Sequence, residues 1–73
     1  MSKIADHFIV EFDKAFRAAV EKSENKNEDG SINWNFVDAD VTMDLVEIFG
    51  NDLPEDMYAE EFEFSAEEYM ECA

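Results

Sequence analysis

Ile4, Phe8, Phe12, Phe16 and Val20 recur at every fourth residue. That spacing keeps one face of an α-helix apolar. Ala5, Ile9, Ala15 and Ala19 widen the stripe, and Ser2 stands where a cap would open it. The pattern predicts a helix over residues 3–22. On its wet side, Glu11 and Asp13 lie one helical turn from Lys14 and Arg17, which suits ordinary surface ion pairs. A stripe three phenylalanines wide has to be buried against the rest of the chain or against a partner. With 73 residues in all, the rest of the chain is short, and the expectation is one small domain over 1–73.

Downstream signals are weaker. Residues 23–30 read as a polar loop with an Asp29-Gly30 turn. Ile32, Trp34 and Phe36 alternate with polar residues, which predicts a short strand. Glu61-Phe62-Glu63-Phe64 alternates in the same way, so the two segments are candidates for a two-stranded ribbon. A second helix is predicted over 38–49, with Asp38 as N-cap and Gly50 just past its end. Val37, Val41, Leu45, Ile48 and Phe49 form its expected inner face. Ala39, Met43 and Val46 form another arc, which either seals the core or joins two copies. Asp52 and Pro54 open a further helical segment, and Ser65-Ala66-Glu67-Glu68 reads as a capping box. Two short helices, or one broken near Phe64, are therefore expected. The fold class is mainly α, with α+β as the alternative: a long N-terminal amphipathic helix, two or three shorter helices and the small ribbon.

Charge divides the chain. Twenty Asp and Glu face five Lys and Arg, for a net charge of -15. Residues 1–23 are neutral, with four charges of each sign, so residues 24–73 carry the whole excess. After Lys26 there are 47 residues without a cation. Direct contact with nucleic acid or with an anionic membrane is disfavoured, because both rely on Lys and Arg. A disordered acidic tail is disfavoured too, since 47% of the residues are hydrophobic and ten are aromatic. The lone Cys72 closes no internal disulfide. No basic stretch leads into an apolar run at the N-terminus, and no apolar run reaches the roughly 18 residues of a span. The expected location is a reducing cytoplasm, of a bacterium or of a host cell.

The carboxylates are spaced as rows. Asp40, Asp44 and Glu47 recur every three or four residues, which is roughly 4.5–6 Å of helical rise. Glu60, Glu63, Glu67 and Glu71 would continue such a row if 54–72 is helical. A DNA strand offers a charge about every 3.4 Å. Carboxylates on a rigid scaffold at that order of spacing fit a basic groove evolved for nucleic acid. Tyr58 and Tyr69, set among glutamates, suit a recognition surface in which an aromatic ring stands in for a base. In size and charge the chain resembles the small acidic DNA-mimic proteins of bacteriophages, among them anti-restriction, anti-CRISPR and uracil-DNA-glycosylase-inhibitor proteins. That likeness implies a non-enzymatic inhibitor that binds a basic nucleic-acid-binding host protein, and the Ala39, Met43 and Val46 arc leaves it a monomer or a homodimer. It would require no cofactor.

Two other readings compete. An acidic antitoxin, immunity protein or adaptor would also bind a basic partner. The loop Asn25-Lys26-Asn27-Glu28-Asp29-Gly30-Ser31-Ile32 carries oxygen-bearing residues at its first, third and fifth positions, glycine at the sixth and an apolar residue at the eighth. It resembles the calcium loop of EF-hand and dockerin-like proteins. Asn25 stands where that pattern has Asp, and Phe36 stands where it has the bidentate Glu. Enzyme chemistry has little to work with. His7 and Cys72 are single and belong to no recognisable nucleophile–base set. Metal motifs of the CxxC or HExxH kind are absent, and only Gly30 and Gly50 are available for a phosphate loop.

Overall fold

The computed structural model describes residues 3–72, with side chains from Asp6 onward. The Ser2 cap and the Ile4 and Ala5 side chains of the first stripe lie outside the described residues. Three helices follow one another: α1 (Lys3–Glu21), α2 (Trp34–Phe49) and α3 (Glu55–Cys72). Single 3-10 turns at Ser23–Asn25 and Gly50–Asp52 lie in the connections. The fold is mainly α.

The periodicity of α1 becomes the core. Phe8, Phe12, Ala15, Phe16, Ala19 and Val20 are buried, and they meet Val37, Val41 and Leu45 of α2. Fully burying one such phenylalanine stabilises the fold by about 1.5–3 kcal/mol. A hydrogen bond reinforces the pairing of α1 and α2. The buried Asn25 side chain donates from Nδ2 to the Ala19 carbonyl at 2.9 Å and to Asp40 Oδ2 at 2.7 Å. It thereby adds a second donor to the Ala19 carbonyl, which also takes the Lys22 N–H, and ties α2 to the end of α1.

Helix α2 begins earlier than the sequence pattern suggests. Asn33, rather than Asp38, is its N-cap, and its side chain accepts from the Phe36 N–H. Ile32, Trp34 and Phe36 therefore form no strand. Among the described residues the only β pairing is one isolated bridge between Lys26 and Ile32. The ribbon fails because its intended partner, residues 61–64, lies inside α3. A period of two over three residues is outweighed when a capping residue and a helical run follow it. At the other end, Gly50 takes φ 59° and ψ -129°, which a residue with a Cβ rarely adopts, and its N–H closes on the Val46 carbonyl.

Helix α3 is continuous through Phe64, so the capping box at Ser65 is not used. Glu55 and Asp56 in its first turn favour initiation at the positive end of the helix dipole. The helix contributes no fully buried residue. It docks through ring contacts: Tyr58 meets Phe12 edge-on at 5.8 Å, and Phe62 meets Phe16 at 5.8 Å. Trp34 stacks on Phe16 and turns its edge toward Phe62 and Tyr69. Ile48, expected on the inner face of α2, is 46% exposed, because the edge of that face is left uncovered beside α1.

Candidate partner-binding surface

The carboxylates fall into two rows. On α3, Glu60, Glu63, Glu67 and Glu71 are all exposed, and Asp56 extends the row by one turn. Tyr58, Phe62 and Tyr69 mark the inward side of the same helix. At about 100° per residue the glutamate row faces almost directly away from them. The Asp56 to Glu71 row is about 22 Å long at 1.5 Å per residue. Asp56 stands four residues before Glu60, outside the row expected from the sequence.

On α2, Asp44 and Glu47 are exposed and share a groove with Glu11, Lys14 and Ala18 of α1. Asp40 behaves differently. It is partly buried, accepting from Asn25 Nδ2 and from Lys22 Nζ, the latter at 3.3 Å. The Asn25 amide, with Lys22 behind it, holds the Asp40 carboxyl below its ordinary value, against the opposing effect of partial burial. Asp40 is thus committed to joining α1 and α2.

The two rows do not merge. Helix α3 packs on the side of α2 that carries Asp38 and Thr42. Those residues stand two positions before Asp40 and Asp44, or about 200° round the helix. The α2 row accordingly borders α1, while the α3 row faces outward from α3. Among the described residues, no carboxylate after Asp40 lies within ion-pair distance of a cation. Among the described residues, Lys14–Glu11 and Arg17–Asp13 pair within α1, and Lys22–Asp40 reaches across to α2.

The two tyrosines have different surroundings. The Tyr58 hydroxyl donates to Asp38, reaching both its carboxylate and its carbonyl oxygen, and accepts from Thr42 Oγ1 at 3.0 Å. Burial, together with the Asp38 carboxylate, pushes the Tyr58 hydroxyl well above the ordinary tyrosine value. Its ring and its hydroxyl hold α3 against α1 and α2, and the residue is half-buried. Tyr69 is 38% exposed and lines a cleft of about 420 Å³ with Phe16, Arg17, Glu68 and Cys72.

In the loop before α2, the side chains at the calcium-like positions are engaged with the protein. Asn27 Nδ2 donates to Ser31 Oγ, and Asp29 Oδ1 accepts from both the N–H and the hydroxyl of Ser31. The Ser31 hydroxyl, followed by its N–H, draws the Asp29 carboxyl below its usual value. This is an Asx turn leading through Gly30, at φ 89°, into the Asn33 cap. Asn25 is the residue whose role the loop pattern concealed: it looks like a first ligand and serves as the clasp. No group of three or more His, Cys, Asp and Glu residues is arranged to hold a metal ion among the described residues.

His7 lies tilted against Phe49, with ring centroids 5.1 Å apart, and approaches Glu11 at 3.8 Å. Cys72 lines the cleft beside Arg17 and Glu21, more than two turns further along α1. The structure does not bring these two groups together.

Several apolar side chains stay outside. Phe36, Met43 and Val46 of α2 are 54%, 67% and 46% exposed, and Ala39 lies between them on the same face. The Ala39, Met43 and Val46 arc therefore does not seal the core. No helix among the described residues is long and apolar enough to cross a membrane. A comparison of the chain with protein-family models, curated proteins and solved structures finds no match.

Proposed function

We propose that this protein is a non-enzymatic inhibitor that mimics nucleic acid and occludes the basic groove of a nucleic-acid-binding protein of a bacterial host. The observation that carries this reading is the α3 row. Glu60, Glu63, Glu67 and Glu71 stand exposed on one unbroken helix, and no cation is paired with them among the described residues. Like charges at i,i+4 each cost a helix about 0.2–0.5 kcal/mol. A face that only aids solubility would intersperse lysines to relieve that cost. A basic groove relieves it on binding, and long-range attraction accelerates the encounter.

The test is competitive capture. The immobilised protein is exposed to bacterial lysate at low salt, and an excess of duplex or single-stranded oligonucleotide is then applied. Displacement of the captured protein by DNA is the expected result. A captured protein that DNA fails to release identifies a basic partner of another kind, as an antitoxin, immunity protein or adaptor would have.

A further inference from the structure

The outward side of α2 carries a run of exposed apolar side chains. Phe36, Ala39, Met43 and Val46 follow one another at three- and four-residue steps, which places them in one stripe along the helix. All four are exposed. Glu47, one turn from Met43, borders this stripe on the α1 side, with Asp44 beyond it in the groove against α1, and neither has a cation partner among the described residues. The combination is an apolar strip with a negative rim.

We propose that this face docks a basic amphipathic segment of the partner, in which apolar side chains meet Phe36, Met43 and Val46 while Lys or Arg side chains reach Asp44 and Glu47. The inference rests on the preceding reading only for the partner's positive charge. It adds a second kind of contact, one that survives salt, on a face other than the α3 row.

Charge decides between this occupant and a second copy of the chain. Each copy carries -15, and pairing two α2 faces brings the Asp44 and Glu47 rims toward each other. A stable protein–protein interface buries about 800 Å² on each side. Four side chains on one helix supply less than that, so a homodimer on this face lacks the area to offset its repulsion. A cationic segment needs less area, because the rim attracts it.

The test uses two synthetic peptides of equal positive charge: a helical Leu/Lys peptide with an apolar stripe, and oligolysine. Binding is measured by fluorescence anisotropy at low salt and at about 1 M salt, where the screening length falls to about 3 Å. The Leu/Lys peptide should stay bound at high salt, and oligolysine should dissociate. The paired substitution Met43→Ser and Val46→Ser should weaken the Leu/Lys peptide by about tenfold or more, the scale of losing two apolar contacts. Replacing Glu60, Glu63, Glu67 and Glu71 with Gln should lower low-salt binding of both peptides and leave the high-salt binding in place. Both residues of the α2 variant are exposed, so circular dichroism should show an unchanged fold. Equal binding of the Leu/Lys peptide to that variant overturns the inference, as does loss of this peptide at high salt. Sedimentation showing a dimer that the α2 variant dissolves overturns it in favour of a second copy. All of these outcomes leave the DNA-displacement result to be judged on its own.

Discussion

Helices α1 and α3 are nearly equal in length, at 19 and 18 residues, and are stabilised in opposite ways. Among the described residues, helix α1 buries six side chains and carries two ion pairs along its own surface, Lys14–Glu11 and Arg17–Asp13. Helix α3 buries none completely, has no ion pair among the described residues and is held by aromatic edges and one hydroxyl. No Lys or Arg stands in its last turn, where Glu68 and Glu71 meet the negative end of the helix dipole. The contrast shows a molecule that concentrates its packing energy in one half and tolerates electrostatic strain in the other. Under the function proposed above, those charges stay uncompensated for a cationic partner to meet, while the packing of α1 against α2 carries the fold.

The largest expected effect tests the core half. Phe12→Ala should cost about 3–5 kcal/mol. A single core of this size supplies little more than that, so the variant should be largely unfolded by circular dichroism at room temperature. Tyr69→Ala, at the exposed end of the ring cluster, should cost about 1 kcal/mol. Equal losses in urea titrations would break the contrast between the two helices.

The next effect concerns the hydroxyl that fastens α3. Tyr58→Phe should cost about 0.5–1.5 kcal/mol, the net scale of a hydrogen bond in a folded protein. Because folding raises the Tyr58 value, the folded state keeps its phenolic proton after the unfolded chain has lost it. Stability from this group is complete below the ordinary tyrosine value of about 10 and declines as pH rises beyond it. The wild-type chain should therefore lose stability above about pH 10 more steeply than Tyr58→Phe. Parallel alkaline curves for the two proteins would remove Tyr58 as the fastening.

The smallest effect sharpens the charged half. Raising salt from about 10 mM to about 100 mM shortens the screening length from about 30 Å to about 10 Å. The melting temperature should rise by a few degrees. Glu63→Gln with Glu67→Gln should add roughly 0.2–0.5 kcal/mol for each like-charged i,i+4 contact removed and should shrink the salt response. A melting temperature that ignores salt would mean that the carboxylates are already compensated.

What could be read from the residues follows the same division. The stripe from Phe8 to Val20 announces α1, because one period repeats long enough to exclude another. Gly50 marks the end of α2 for a local reason, its positive φ. The start of α2 was obscured because Ile32, Trp34 and Phe36 satisfy a strand period while Asn33 satisfies a helix cap. Only the absence of a strand partner decides between them. Ser65 satisfies a capping box inside a helix that had no need to restart. The exposure of the glutamates in α3 followed from their spacing. The inward placement of Tyr58 did not, because it depends on Asp38 and Thr42, which are 20 and 16 residues away in sequence. Asp40 looked like one of a row and is held by Asn25, a contact across 15 residues that no local pattern encodes.

The Asn25 clasp also has a consequence for the order of assembly. Its partners, Ala19 and Asp40, both lie within 15 residues of it, and closing so short a loop takes well under a microsecond to about a microsecond. The α1–α2 hairpin can therefore form from nearby contacts without waiting for α3. Helix α3 has no fully buried residue, so hydrogen exchange should show its amides opening before those of α1.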